Sequence, residues 1–118
     1  MVNNSAQLSR LFFALSDPSR MAMIERLGSG VASVSELARP LDMSMAAVVQ
    51  HVRVLVESGL IRTEKKGRVR SCQLSPDALE SVSAWIAGRQ AEFWKAGLQA
   101  VEDSLHERTP PKTRNNRR

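Results

Sequence analysis

The chain is poor in the residues that build covalent or metal frameworks. It has one cysteine, Cys72, which excludes an internal disulfide network and agrees with a reducing compartment. Two histidines, His51 and His106, lie far apart in sequence. A tight transition-metal site takes about four N, S or O ligands, so no metal and no cofactor is expected. Tyrosine is absent and aromatics make up only 4% of the chain. No run approaches the roughly 20 apolar residues of a membrane span, and the first ten residues are too polar for a secretory signal. These absences predict a cytoplasmic protein with no membrane partner. Also missing are a phosphate-cradling glycine loop, an HExxH zinc motif and a nucleophile elbow, which argues against an enzyme.

What is present fits one domain with a modest core: 118 residues, 42% hydrophobic and 25% charged. The net charge of +5 is unevenly placed. Residues 1–59 balance five basic side chains against five acidic ones, and residues 75–107 carry an acidic excess. Residues 60–74 contain Arg62, Lys65, Lys66, Arg68 and Arg70 against Glu64 alone. Residues 108–118 hold Arg108, Lys112, Arg114, Arg117 and Arg118 with no acid. Concentrated positive charge suits a polyanion, because each neutralised phosphate releases counterions.

Read along the chain, Leu8, Leu11, Phe12 and Leu15 form a first helical stripe. Asp17 and Pro18 open a second helix with Met21, Ile24 and Leu27 turned inward. Val31 to Val34 suggest a brief strand, and Ser35 is placed to cap a short helix over 36–41. Two strands follow at about 60–65 and 69–74, turning at Lys66-Gly67. Pro76 and Asp77 open a long helix to about 105. The folded domain is expected over 5–107, with a basic, disordered tail over 108–118 that includes Pro110-Pro111.

The most specific segment is residues 44–61. Ser44 suits an N-cap and Gly59 a C-terminal stop. Met45, Val48, Val49, Val52, Leu55 and Val56 are assigned to an inward face. Ala46, Ala47, Gln50, Arg53 and Glu57 fall on the other side. Small residues let a helix sit deep in a major groove, and Gln and Arg read base edges or phosphates. The order of helices, a turn, this helix and then a basic hairpin predicts a mainly α winged helix-turn-helix, with about five helices and a two-stranded wing.

In that architecture Gln50 pairs with adenine, and Arg53 anchors phosphate. Ser44, Ala46 and Ala47 approach a phosphate or a thymine methyl. His51 either packs or contacts phosphate. Lys65, Lys66, Arg68 and Arg70 lie along a phosphate backbone or enter a minor groove. The partner implied is double-stranded DNA. A winged helix used as a protein-interaction module is the alternative.

The segments Phe13-Ala14-Leu15-Ser16-Asp17-Pro18-Ser19-Arg20, Ser35-Glu36-Leu37-Ala38, Val48-Val49-Gln50-His51-Val52-Arg53-Val54-Leu55 and Ser58-Gly59-Leu60-Ile61 resemble the ArsR/SmtB-type bacterial repressors. Gly67-Arg68 followed by Leu74 resembles their wing. The resemblance covers about residues 8–100. It implies a homodimer on operator DNA, paired through the first and last helices and released by an effector. On this reading Leu8, Leu11, Phe12, Trp85, Phe93, Trp94, Leu98 and Val101 form the dimer interface. The last helix carries both tryptophans, more apolar surface than a small domain readily covers. Metal-sensing relatives carry cysteines in the third helix or a carboxylate and histidine set in the last, which this chain lacks, so a non-metal-sensing branch is implied. Any effector is then a small molecule or an oxidant. For the latter Cys72 is the candidate, with Arg68 and Arg70 near enough to lower its pKa.

Overall fold

The computed structural model describes the backbone of residues 4–112 and the side chains of residues 5–107. Helix α1 (Asn4–Leu15) leads into α2 (Pro18–Leu27), then strand β1 (Ala32–Ser33), α3 (Val34–Ala38) and α4 (Met45–Ser58). Strands β2 (Ile61–Lys66) and β3 (Val69–Leu74) form a hairpin before the long α5 (Pro76–Lys112). This is the mainly helical winged helix-turn-helix expected from the sequence, with one addition. β1 pairs with β3, so the wing belongs to a three-stranded antiparallel sheet in the order β1-β3-β2.

Local chemistry sets most boundaries. Asp17 accepts from the backbone N–H of Ser19 at 2.9 Å and of Arg20 at 3.1 Å, with Pro18 at the first helical position where no N–H is needed. Ser33, not Ser35, caps α3. Its hydroxyl accepts from Glu36 N–H at 3.0 Å while the Glu36 carboxylate accepts from Ser33 N–H at 2.8 Å. This reciprocal box satisfies two orphan donors, which Ser35 has no partner three residues on to match. The Ser44 hydroxyl accepts from Ala47 N–H at 3.1 Å to start α4. Gly59 ends α4 at φ 90°, with its N–H donating to Val56 O and Leu60 N–H donating back to Leu55 O at 3.1 Å. That pair of bonds is a Schellman motif, which a side chain at residue 59 would strain.

The chain divides after Val82 into two compact units. The core of the first holds Leu11, Met23, Leu27, Leu37, Val48, Val52, Leu55, Leu60, Ile61 and Cys72, closed by Ala78 and Val82 from the start of α5. Two inward assignments change. In α2 it is Met23 that is buried, four residues before Leu27 on the same face, while Met21 is exposed. In α4 the buried set is Val48, Val52, Leu55 and Ser58, leaving Met45, Val49 and Val56 at the surface. The apolar arc of α4 is wider than the face its neighbours cover.

The second unit is the remainder of α5. The helix continues to Lys112 rather than stopping near residue 105, because after Gly97 neither glycine nor proline occurs before Pro110. It therefore takes in the first residues of the stretch expected to be a tail; residues 113–118 lie outside those described.

Candidate nucleic-acid interface

Two elements of the first unit carry the residues expected to bind: α4 and the β2–β3 hairpin. On α4, Ser44, Ala46, Gln50, Arg53 and Glu57 are exposed and Ala47 is half-buried. The caps at each end hold this face as one straight surface of helix, small at its start and polar further on. The Gln50 side chain makes no hydrogen bond within the described residues and is exposed, so its amide is available for a bidentate contact.

His51 occupies the flank of α4 and is held from below. Arg20 on α2 is only 7% exposed and is fixed in three places. Its Nε donates to Ala14 O at 2.7 Å, one terminal nitrogen donates to Phe13 O at 3.1 Å, and the other lies 3.1 Å from His51 Nδ1. A guanidinium only donates, so in this contact Nδ1 is the acceptor. Asp17 Oδ2 lies 3.9 Å from the same nitrogen. The backbone N–H of Arg20, above all, holds the Asp17 carboxyl below its ordinary range, with the Ser19 N–H and the Arg20 charge adding to it. The Asp17 and Arg20 side chains thus tie α2 and the end of α1 to α4. Sequence reading assigned Asp17 only a capping role and did not find Arg20; the signal was its place one turn after the cap, in a position where a buried cation requires partners.

In the hairpin, Lys66 pairs with Val69 and Lys65 with Arg70 across the two strands. The connection is the two residues Gly67-Arg68, with Gly67 at φ 64° as primed hairpin turns require, one residue later than expected. Lys65, Lys66, Arg68 and Arg70 are all exposed. Like charges directly opposite one another destabilise a strand pair, so the Lys65–Arg70 pairing makes sense where an anion neutralises both. Arg70 also donates to Thr63 Oγ1 on β2 at 3.2 Å, which ties its guanidinium to the neighbouring strand. Among the described residues the one ion pair in the hairpin is Lys66 with Glu64, at 3.9 Å and fully at the surface.

Two grooves run between α4 and this hairpin. One of about 430 Å³ is lined by Val49, Val52, Arg68, Val69 and Arg70, with residues 33–35 at its rim. The second, of about 380 Å³, is lined by Val49, Val52, Arg53, Val56, Thr63 and Arg70, among others. Helix, groove and basic strand tip together form one surface with cations on both sides.

Cys72 does not fit a redox switch. It is 0% exposed in the middle strand, opposite Ala32 on one side and Thr63 on the other. Burial pushes its thiol above the ordinary range, and the opposing pull of Arg70 is smaller. Reactivity requires access and a lowered pKa, and Cys72 has neither. Among the described residues no three His, Cys, Asp or Glu side chains group to hold a metal, and no helix is long and apolar enough to cross a membrane.

The residues expected at a dimer interface divide. Leu11 is fully buried in the core, with Leu8 and Phe12 packed partly against it, so Leu11 offers no surface to a second copy. On α5, Trp85, Phe93, Trp94, Leu98 and Val101 are exposed, by 42% to 70%. Ala84, Ala87, Ala91, Trp94, Leu98, Val101 and Leu105 recur at alternating spacings of three and four, the seam of a coiled coil. That regular spacing is visible in the sequence but was read only as apolar content.

Comparison with known proteins agrees with this geometry. A helix-turn-helix domain family matches residues 15–64. An HTH-type transcriptional regulator of Mycobacterium tuberculosis is 41% identical over 75% of this chain and 79% of its own length. The arsenical resistance operon repressor of Escherichia coli is 31% identical over 79% of this chain and 77% of its own. The crystal structure of an ArsR family transcriptional regulator superposes with a TM-score of 0.73 at 44% identity, covering 80% of this chain and 97% of that one.

Proposed function

This chain belongs to the ArsR-type family of winged helix-turn-helix transcriptional regulators, DNA-binding proteins and not enzymes, and from that premise we propose that it is a homodimeric repressor acting on a roughly palindromic operator. In this reading α4 enters the major groove with Gln50 pairing to adenine. Ala46 and Ala47 allow close approach, with Ser44 at the helix start, and Arg53 anchors a phosphate. Lys65, Lys66, Arg68 and Arg70 follow the backbone or enter the adjacent minor groove. The observation that carries it is the doubled cation pair Lys65–Arg70 and the tip residue Arg68, set beside a capped helix whose exposed face bears Gln50 and Arg53. Such an arrangement offers positive charge for phosphates and an amide for bases on one surface.

The second copy follows from α5. Its 37 residues span roughly 55 Å, and Trp94, Leu98 and Val101 are each more than half exposed along one seam. Burying that seam against the same seam of another copy removes a large apolar surface from water. Two-fold symmetry then calls for an operator of two half-sites about one helical turn apart. Repression is the activity of the E. coli relative and is extended here by similarity. Metal sensing is not, since the α3 region carries neither thiol nor imidazole. The effector proposed is a small molecule rather than a metal or an oxidant. An interaction-module reading has no observation in its favour.

Selection of duplexes from random DNA by the purified protein tests this. Enrichment of a palindromic sequence is expected, and it is expected to disappear in a Gln50→Ala, Arg68→Ala double variant. Equal recovery of all sequences by both proteins would overturn the proposal.

A further inference from the structure

We propose that Val49 is a specificity-determining residue that takes the 5-methyl group of a thymine. The inference rests on α4 being the DNA-reading helix. Val49 was expected to face inward, yet it is 42% exposed, while its neighbours Val48 and Val52 are 0% and 5% exposed. It stands on the edge of α4 that faces the wing, and it lines both grooves there. Met45, one turn before it, and Val56, two turns after it, continue the same edge and are 50% and 38% exposed. An apolar row at the surface of a helix loses free energy to water unless something covers it.

The charges around the row define what that partner is. Arg53 stands beside it on α4, and Arg68 and Arg70 stand across the grooves. The occupant must present anionic rails with an apolar point between them. A duplex does this: phosphates run along both rims of the major groove, and the thymine methyl is the apolar group on its base edges. Val49 also arrives prepared for the contact. A β-branched side chain on a helix keeps essentially one χ1 rotamer, so little freedom is lost when it packs. Val52, buried at the floor of both grooves, supports it from behind.

The measurement is made on the full chain with the duplex obtained by selection. Each thymine of a half-site is replaced in turn by uracil, which removes the methyl group and leaves base pairing intact. Affinity is read by fluorescence anisotropy for wild type, Val49→Ala and Val49→Ser. One thymine is expected at which uracil weakens wild type by about fourfold, the factor corresponding to one buried methyl group. At that position neither variant should distinguish thymine from uracil. Thermal unfolding of both variants should match wild type, because Val49 is at the surface.

Retention of the full uracil penalty by Val49→Ala would overturn the inference, assigning the methyl to Ala46 or Ala47 while leaving the DNA-binding reading intact. Indifference of wild type to every methyl would also overturn it. The same holds if decanoate shifts the Val49 methyl resonances and the duplex does not, which would give the groove to a small amphipathic anion. Failure to select any duplex would remove the DNA reading and this inference together.

Discussion

The side chain that most constrains the surface proposed to face DNA is Arg20, which does not lie on it. Its guanidinium donates to the carbonyls of Phe13 and Ala14 at the end of α1 and holds His51 on α4, so three helices share one buried charge. Removing it takes the donor from the Ala14 carbonyl and the His51 nitrogen, while the Phe13 carbonyl keeps the N–H and hydroxyl of Ser16. We expect Arg20→Ala to lose about 3 kcal/mol of stability in chemical denaturation. Arg20→Lys should recover little of it, since an ammonium cannot reproduce the three-pronged geometry. Asp17 and Glu36 add a pH dependence. Both carboxyls sit below their ordinary range, held chiefly by backbone N–H groups of Arg20 and Ser33 respectively. A carboxylate depressed in the folded state contributes stability that is present above its unfolded value and lost as acid protonates it. Unfolding midpoints should therefore be flat above about pH 5 and fall below about pH 4. A loss of stability on raising the pH from 5 to 7 would contradict this assignment.

At the scale of elements, legibility followed how local the determining chemistry was. Ser44, Gly59, Asp17 and Pro18 act within a few residues of themselves, and the boundaries they set could be read directly. The start of α3 is equally local: Glu36, three residues after Ser33, singles out Ser33 over Ser35 as the cap. Whether Val49 and Met21 face in or out depends on how much surface the neighbouring elements cover, and spacing alone does not carry that. A brief strand was legible at residues 31–34, but its partner was not: that β1 adds to β3 depends on which edge β3 leaves free. The dimer proposal belongs to α5. A charge at the centre of its seam, Leu98→Asp, should convert a dimer to monomer in sedimentation equilibrium without loss of the first unit's thermal transition. A variant that stays dimeric would place the second copy elsewhere. Leu11→Asp is no substitute for it, since Leu11 is in the core and its replacement would unfold the protomer.

For the whole molecule, the proposal assigns the placing of DNA to charge. The wing is strongly basic, the stretch after it acidic, and residues 108–118 basic again. On the proposed reading, uniform attraction to phosphate comes from the wing and the C-terminal residues, while sequence preference comes from α4. Deleting residues 108–118 should then weaken binding to all duplexes alike and reduce its salt dependence, with no change in the preferred sequence. The charge pattern was legible from the chain alone, as was the order of elements. The Arg20–His51 tie was not, because it joins residues 31 positions apart. The central claim, that α4 reads bases while the wing grips phosphates, is tested most directly by titrating a selected operator and a scrambled duplex across a range of salt concentrations. Gln50→Ala should weaken operator binding by roughly tenfold or more and leave the scrambled duplex unaffected, while Arg68→Ala should weaken both and lower the salt slope by about one. If Gln50→Ala instead weakened both duplexes equally, or Arg68→Ala left the salt slope unchanged, the division of labour between helix and wing would be wrong.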